Sequence, residues 1–351
     1  MRILYQIPSL DTIYAGRTIY YGYKNAFEDL GHKFLPLTSS SDSSKIFEEF
    51  RPDIFMTSLH PYYLKYLDLS VIKEQRKSGM RVFVNIPFWK SPFSKTRINE
   101  ANGLSDNKRY KDLISSGNYG DVYYNSCEKS DRRMKEFENG TGKKHICIPL
   151  AVDKIALKEE FNKKYETDIS FVGTYLPQKR NYFKNYVFPL KNKYNVKLYG
   201  QDWNIFDRAC GWVQRLGQYF NISFLSRIRL PKLQLIDEAR IYKSSVISLN
   251  VHEDYQKEFG GDCNERTFKI PACGGFEITD DVACIRRYFK DGEEIVIAKN
   301  KDDWFEKINY YMENQEKRLS IVNAGRKKAL KEHTYHNRIE QIISIHKEIK
   351  G

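Results

Sequence analysis

Residues 245–280 read SVISLNVHEDYQKEFGGDCNERTFKIPACGGFEITD and decide the fold class of the chain. The run from Val246 to Val251 is mostly apolar, as in a strand that is covered on both faces of a parallel sheet. The pair Gly260-Gly261 comes before a short helix predicted over Asn264–Ile270, and a second strand follows another glycine pair. A strand, a helix and a strand in this order are typical of a parallel α/β sheet.

The same alternation of strands and helices extends along the chain in both directions. In the first half it predicts strands over Arg2–Ile7, Ile54–Ser58, Arg81–Ile86, Val122–Asn125 and Ile146–Leu150. In the second half it predicts strands over Ile169–Val172, Val196–Tyr199, Val246–Val251, Phe276–Ile278 and Ile295–Ala298. The longer helices are predicted over Thr18–Leu30, Leu67–Gly79, Tyr182–Tyr194, Leu233–Tyr242, Asp302–Asn314, Glu316–Glu332 and about Tyr335–Lys350.

Two such sets of elements predict two Rossmann-like α/β domains that face each other across a cleft. We expect an N-terminal domain over residues 1–153, to which a C-terminal helix over about 335–351 returns, and a second domain over residues 154–334. Because open parallel sheets bind ligands beyond the carboxyl ends of their strands, the loops that follow strands should carry the site.

Composition narrows the class of protein and of partner. The chain has 351 residues and a formal net charge of +13, so phosphorylated small molecules, an anionic membrane surface and nucleic acid are the candidate partners. The sequence contains no helix-turn-helix, RRM or zinc motif, which disfavours nucleic acid. Neither a bilayer-spanning apolar run nor a signal-peptide pattern is present, so we expect a cytoplasmic protein. The six scattered cysteines form no C-x-x-C pair and predict no metal site.

Several residues after strands have the chemistry to hold a phosphate. The helix start near Asn264 supplies backbone N–H groups, and Arg266 in its first turn is always charged. Gly173 ends a predicted strand and lets a ligand approach the backbone, with the pair Lys179-Arg180 a few residues on. The plainer interpretation is a set of ordinary turns with solvated cations.

Two histidines follow strands and are candidates for catalysis. His252 follows the strand Val246–Val251, where it either contacts the reacting groups or makes structural hydrogen bonds. His60 follows Ile54–Ser58 and is a candidate general base for a hydroxyl. The stretch Cys210–Leu230 mixes apolar, aromatic and basic residues and either lies on a membrane interface or simply flanks the site.

Five segments in order along the chain resemble the CgeB-like, spore-protein-type glycosyltransferases, which have the GT-B fold and are related to the family 4 glycosyltransferases. The matching segments are Ile169-Ser-Phe-Val-Gly173-Thr, Lys197-Leu-Tyr-Gly200-Gln-Asp-Trp203, Ile247-Ser-Leu-Asn250-Val-His252, Asn264–Asp280 and His333-Thr-Tyr335-His-Asn-Arg338. In the N-terminal half, Ile148–Asp153 is the best match. The resemblance implies transfer of a sugar from a nucleotide-activated donor to an acceptor hydroxyl, without a metal or cofactor.

The resemblance also implies roles for individual residues. The donor would be bound by residues of the second domain: Gly173, Arg180, Asn250, Gly260, Gly261, Asn264, Arg266, Lys269 and Glu277. The loop with Asp11 would face the acceptor, and Asp11, His60 and His252 are the catalytic candidates. The acceptor would be a glycan, a lipid-linked sugar or a protein, in bacterial surface polysaccharide, glycolipid or glycoprotein synthesis. Peripheral contact with an anionic membrane fits this setting.

One position departs from the resemblance. The family usually has Glu where this chain has Lys269, and that Glu typically holds the ribose hydroxyls of the nucleotide. Lysine accepts no hydrogen bond. Either Glu265 or Glu277 takes over the contact with the ribose hydroxyls, or the donor is not a common UDP- or GDP-sugar. Alternatively, Lys269 contacts a phosphate, or it only extends from a helix face into solvent. The alternatives to a transferase are a nucleotide-sugar epimerase of GT-B shape and a basic nucleic-acid-binding protein.

Overall fold

The computed structural model describes residues 1–10, 15–90, 104–220, 222–229 and 233–350. The chain forms two compact units. Unit 1 comprises Met1–Thr12, Tyr23–Pro149 and His336–Gly351, and unit 2 comprises Ile13–Gly22 and Leu150–Tyr335. None of the described helices is both long enough and apolar enough to cross a membrane.

Unit 1 is built on a six-stranded parallel sheet in the order β2-β1-β3-β4-β5-β6. Its strands are β1 (Arg2–Gln6), β2 (Lys33–Leu37), β3 (Ile54–Ser58), β4 (Arg81–Asn85), β5 (Val122–Asn125) and β6 (His145–Cys147). Its helices include α2 (Ser43–Phe50), α3 (Pro61–Leu64), α4 (Leu69–Lys77), α5 (Lys108–Ser115) and α6 (Phe137–Thr141). Strand β3 is buried at every position, as expected near the middle of a sheet covered on both faces.

Unit 2 is built on a five-stranded parallel sheet in the order β11-β10-β9-β7-β8. Its strands are β7 (Thr167–Val172), β8 (Val196–Tyr199), β9 (Ser245–Asn250), β10 (Glu277–Asp280) and β11 (Val296–Ala298). Its helices are α7 (Arg180–Tyr182), α8 (Ile205–Tyr219), α9 (Ser223–Ser226), α10 (Leu235–Ser244), α11 (Asp254–Phe259), α12 (Arg266–Ala272), α13 (Ile285–Tyr288), α14 (Lys301–Glu313) and α15 (Gln315–Glu332).

Two helices belong partly to each unit by residue range. They are α1 (Ala15–Asp29), whose first half falls in unit 2, and α16 (Tyr335–Lys350), all of which after its first residue falls in unit 1. In unit 1, the Arg338 Nε of α16 donates to the Pro149 carbonyl oxygen at 3.0 Å. The α/β class with two parallel sheets, predicted from the alternation, is therefore what the chain adopts.

Proline explains two of the differences between the predicted and the observed elements. Strand β2 was not predicted because Pro36 interrupts its pattern; the strand lies at the edge of the sheet, where a missing N–H is tolerated. The helix predicted over Tyr182–Tyr194 is helical but irregular: a π-helical turn over Phe183–Val187 and a 3-10 helix over Phe188–Asn192 follow α7, since Pro189 cannot continue a regular α-helix.

Candidate functional site in unit 2

The candidate site lies at the carboxyl edge of the unit 2 sheet, where β7, β8 and β9 end. Two glycines let the backbone close tightly there. A Cβ at Gly200 would lie 2.4 Å from the carbonyl oxygen of Gly173, and a Cβ at Gly173 would lie 3.0 Å from an Arg266 guanidinium nitrogen. Only glycine fits these two approaches without movement. Gly173, predicted as a donor-binding residue, therefore makes room for Arg266.

Arg266 links the ends of the neighbouring strands β7 and β9. Its guanidinium donates to the carbonyl oxygens of Val172 (3.3 Å) and Val251 (2.9 Å) and to Asn250 Oδ1 (3.1 Å). It also lies over the Phe171 ring, 5.1 Å from the centroid. The arginine side chain has five N–H groups. Three of them donate to these oxygens of the described residues, so two remain to donate to a ligand. The side chain is thus both a structural brace and a cation held at the edge of the sheet.

Lys179 is a second cation at the same edge. It is 5% exposed, and its Nζ donates to the Val251 carbonyl oxygen at 3.1 Å, the same oxygen that Arg266 contacts. Glu253 Oε1 lies 3.9 Å away. Burial, followed by the charge of Arg266, lowers the pKa of Lys179 to about 7. Glu253 and Asp280 oppose the shift but do not outweigh burial and Arg266, so two cations lie close together without a full balance of negative charge.

Asn250 holds the start of helix α12 against β9. Its Nδ2 donates to Thr267 Oγ1 at 3.0 Å and to Glu277 Oε1 at 2.8 Å. Its Oδ1 accepts from Asn264 Nδ2 at 2.9 Å as well as from Arg266. Because this uses the full capacity of the amide, Asn250 fixes the position of its neighbours. Asn250 and Asn264, predicted to bind the donor, orient Arg266.

Glu277, another predicted donor-binding residue, lies beneath this layer. It is 1% exposed, and burial raises its pKa well above the ordinary value. Its contact with Asn250 is to Oε1, and Oε2 has no hydrogen-bond partner in the described part of the chain. Its depth supports a structural role under Asn250.

His252 is buried in a chain of hydrogen bonds. Its Nδ1 lies 2.7 Å from Asp280 Oδ1, and its Nε2 lies 3.3 Å from Thr267 Oγ1. A carboxylate only accepts, so Nδ1 carries the proton and Nε2 accepts from the hydroxyl. Burial lowers the pKa of His252, although Asp280 opposes the shift. Both ring nitrogens are thus occupied, and the catalytic role stays a prediction.

Lys269 occupies a different environment from Lys179. It is 5% exposed, and its Nζ lies 2.9 Å from Glu265 Oε2 and 3.3 Å from Glu238 Oε2. Burial alone would lower the pKa of Lys269, but the two carboxylates outweigh it and raise the pKa. Glu265 also accepts from the hydroxyls of Tyr335 (2.8 Å) and Thr18 (2.5 Å). This balance of charge argues against a phosphate contact by Lys269.

The remaining predicted residues are distributed as follows. Gly260 ends α11 with φ of +71° in a turn against Ala283, and Gly261 follows it in the same turn. Arg180 lies over the Tyr175 ring at 5.4 Å, and its buried Nε finds no hydrogen-bond partner among the residues described. His60 lies in unit 1, directly after β3, and Asp11 lies outside the described residues.

The structure brings in partners that the sequence analysis did not name. Asp280 and Thr267 hold the ring of His252, and Glu238 pairs with Lys269. Asp280 could have been found, because a carboxylate that ends a buried strand next to β9 needs a partner. Glu238 is 31 residues from Lys269, so no local sequence pattern indicates that the two side chains pair. Among the described residues, no three His, Cys, Asp or Glu side chains gather as a metal site would require.

Comparison with known proteins supports the fold and a broad class. A family model described as glycosyl transferase-like, Glyco_trans_1_2, matches residues 180–344, slightly less than half of the chain. No curated protein is significantly similar in sequence. The match includes Arg266 and Lys269. It agrees with the glycosyltransferase part of the resemblance and leaves the narrower CgeB-like assignment a prediction.

Solved structures resemble the chain over almost its full length. A glycosyltransferase from Rickettsia africae has 12% identity and a TM-score of 0.61, with 99% of this chain and 98% of that chain covered. Sucrose-phosphate synthase from Thermosynechococcus elongatus has 10% identity and a TM-score of 0.63, with coverages of 99% and 98%. Anabaena HepE, solved with UDP and glucose, has 10% identity and a TM-score of 0.60, with coverages of 98% and 99%. At these identities the likeness confirms the predicted GT-B fold class.

Proposed function

We propose that the protein is a glycosyltransferase that binds a nucleotide-activated sugar at the carboxyl edge of the unit 2 sheet. The observation that carries the proposal is the pair of cations, Lys179 and Arg266, which share the Val251 carbonyl oxygen. The ion pair of Lys179 with Glu253 is a long one, at 3.9 Å. Two closely held positive charges favour an anion, and a nucleotide diphosphate is the anion that enzymes of this fold use. The matches to a glycosyl transferase-like family model and to HepE with UDP support this choice.

The chemistry follows from the leaving group. An acceptor hydroxyl oxygen bonds to the anomeric carbon, the bond from that carbon to the phosphate oxygen breaks, and the hydroxyl proton passes to a base. Negative charge grows on the departing phosphate, and preorganised cations stabilise it more in the transition state than in the ground state. Lys179 and Arg266 would supply this field without a metal ion or cofactor, with Arg180 as a third candidate.

The finer assignments are also proposals. Unit 1 would bind the acceptor, a glycan, a lipid-linked sugar or a protein, in bacterial surface polysaccharide, glycolipid or glycoprotein synthesis. Asp11 and His60 are the candidates for the base that takes the hydroxyl proton. We place the reaction in the cytoplasm, where nucleotide sugars are made.

A thermal-shift panel of UDP, GDP, CMP and dTDP tests nucleotide binding. A ligand that binds the folded state stabilises it by mass action, so one of these nucleotides should raise the melting temperature. Lys179→Met keeps the length of the side chain and removes its charge, and it should abolish the rise. Lys163→Met, at an exposed lysine of the same unit, is the matched control and should keep it. No response to any nucleotide would count against the proposal.

Product analysis then separates a transferase from an epimerase. With the nucleotide sugar of the responding nucleotide, a transferase should release that nucleotide (a diphosphate, or CMP from a CMP-sugar) faster when an acceptor is added. An epimerase would convert the sugar without an acceptor, release no nucleotide, and so overturn the proposal.

A further inference from the structure

Helix α8 (Ile205–Tyr219) turns its apolar side outward. Ile205, Phe206, Trp212 and Leu216 are 79, 77, 68 and 54% exposed. Ile205, Trp212 and Leu216 are spaced by seven and four residues and so lie along one stripe of the helix, with Phe206 beside it. A surface helix of a globular protein normally buries such a stripe against the core. Here no element of the described part of the chain covers the stripe.

The inward side of α8 is small and polar. Gly211 and Gln214 are buried, and a Cβ at Gly211 would collide with an Arg229 guanidinium nitrogen. Arg229 is itself 5% exposed and pairs with Asp202 at 2.9 Å and Asp207 at 3.3 Å. The helix is therefore fixed to unit 2 by an ionic network. Its apolar side chains contribute little to this attachment.

The apolar surface continues beyond the helix. Phe220 is 63% exposed, Phe224 in α9 (Ser223–Ser226) is 75% exposed and Ile228 is 47% exposed. We call the exposed apolar residues of α8 and α9 the outer face, consisting of Ile205, Phe206, Trp212, Leu216, Phe220, Phe224 and Ile228. Contiguous exposed apolar surface of this kind marks an interaction site in most soluble domains.

The segment that carries the outer face has an excess of positive charge. From Trp203 to Ile228 it contains three arginines and a single carboxylate, Asp207, which is buried against Arg229 on the inward side. Arg215 is exposed and lies over the Trp212 ring at 5.6 Å. The whole chain carries a formal charge of +13. Aromatic and aliphatic side chains bordered by arginine match the interface of an anionic bilayer, which offers acyl chains beneath phosphate headgroups.

We propose that the outer face docks unit 2 on an anionic phospholipid bilayer, with α8 in the plane of the interface. Phe206, Trp212 and Phe224 enter the boundary between headgroups and acyl chains, and Arg215 contacts lipid phosphates. A second copy of the chain would cover the apolar side chains, but a symmetric contact would bring like charges together. The inference is independent of the proposed enzyme activity.

Vesicle sedimentation tests the proposal on the full chain. The wild type should bind vesicles of phosphatidylcholine with phosphatidylglycerol about tenfold more tightly than vesicles of phosphatidylcholine alone, and added salt should weaken the binding. Phe206→Ser combined with Phe224→Ser should reduce binding about tenfold or more, because two large apolar side chains no longer enter the bilayer. Phe161→Ser, at a phenylalanine 58% exposed elsewhere in unit 2, is the matched control and should bind as the wild type does.

Trp212 supplies a second readout that reports contact directly. Of the other tryptophans, Trp89 and Trp304 are 2 and 0% exposed, and Trp203 is half-buried with its Nε1 hydrogen-bonded to the Gly173 carbonyl oxygen. A blue shift of fluorescence on adding anionic vesicles should therefore come mainly from Trp212 and should disappear in Trp212→Phe. Circular dichroism and the nucleotide-induced thermal shift should be unchanged in the double serine variant, which separates failure of docking from failure of folding or of the proposed function.

Three results would overturn the proposal. One is no binding to either kind of vesicle. Another is binding that the double serine variant keeps in full. The third is a dimer in sedimentation velocity that the double serine variant dissociates, with no vesicle binding by the wild type, which would assign the outer face to a second copy.

Discussion

Lys179 and Lys269 are the same residue type, in the same unit, and each is 5% exposed, yet their pKa values move in opposite directions. Lys179 shares its edge of the sheet with Arg266, and its pKa falls to about 7. Lys269 lies between Glu238 and Glu265, and its pKa rises. Burial is therefore equal for the two lysines, and charge balance makes the difference.

This comparison separates an anion site from a structural ion pair. A buried cation with two carboxylates has its partners already and gains little from a ligand. A buried cation beside another cation gains most when an anion arrives, because the anion removes both the repulsion and part of the desolvation penalty. We therefore expect Lys179 to serve nucleotide binding and Lys269 to serve local stability.

The largest expected effect is on stability, from Lys269→Met. The change leaves Glu238 and Glu265 without their buried cation, and breaking such a pair costs about 3–5 kcal/mol. Urea denaturation should show a loss of this size, with Lys163→Met as the control that loses almost nothing. If Lys269→Met were as stable as the wild type, the ion-pair role would be wrong.

The next largest effect is expected from Arg266→Ala, which should lower both the stability of the protein and its binding of nucleotide. It leaves buried oxygens of Val172, Val251 and Asn250 with fewer donors, and each such loss is worth about 1–3 kcal/mol. The variant should lose stability and also lose the nucleotide-induced thermal shift. Arg266→Lys keeps the charge with fewer donors and should recover part of the shift. A full shift in Arg266→Ala would remove Arg266 from the site.

A smaller effect is expected from pH. A bound phosphate favours the charged form of Lys179, so the complex holds more protons than the free protein and nucleotide affinity falls as pH rises through about 7. Between about pH 7 and pH 9, above the last phosphate ionisation near pH 6, the loss should reach about tenfold. Calorimetric titration checks this. Lys179→Met should bind weakly at every pH, and a pH-independent affinity of the wild type would contradict the assignment.

The smallest effect concerns Glu253, the carboxylate 3.9 Å from Lys179. Glu253→Gln removes the nearest competing negative charge, and Glu253 is partly exposed, so the gain is about 1 kcal/mol at most. Nucleotide affinity should rise by about threefold. A fall in affinity would mean that Glu253 itself contacts the ligand.

Periodicity predicted most of the fold. Strands such as Ile54–Ser58, Val122–Asn125 and Val196–Tyr199 were predicted with their observed bounds, because buried parallel strands are short apolar runs between turn residues. Edge strand β2 was not predicted because Pro36 interrupts its sequence pattern. The sequence also did not predict that the apolar stripe of α8 faces outward, because periodicity shows that a stripe exists but not which way it faces.

The candidate site was predicted less completely than the fold. The sequence placed Arg266 and the pair Lys179-Arg180 after strands, and parallel pairing brings such ends to one edge. It did not show that Lys179 lies inside and donates to Val251, because that contact joins residues 72 positions apart. The pairing of Lys269 with Glu238 likewise depends on how α10 packs, which no local pattern reveals.

The central claim is that the positive charge of Lys179 is not fully compensated in the free protein and that Lys179 binds an anionic ligand. NMR titration of lysine labelled with ¹³C at Cε tests this claim most directly. Lys179→Arg identifies the resonance by its loss. We expect Lys179 to titrate near pH 7 in the free protein and the responding nucleotide to raise the pKa of Lys179 by about one unit or more. A Lys179 pKa near the ordinary value of 10.5, unchanged by every nucleotide of the panel, would contradict it.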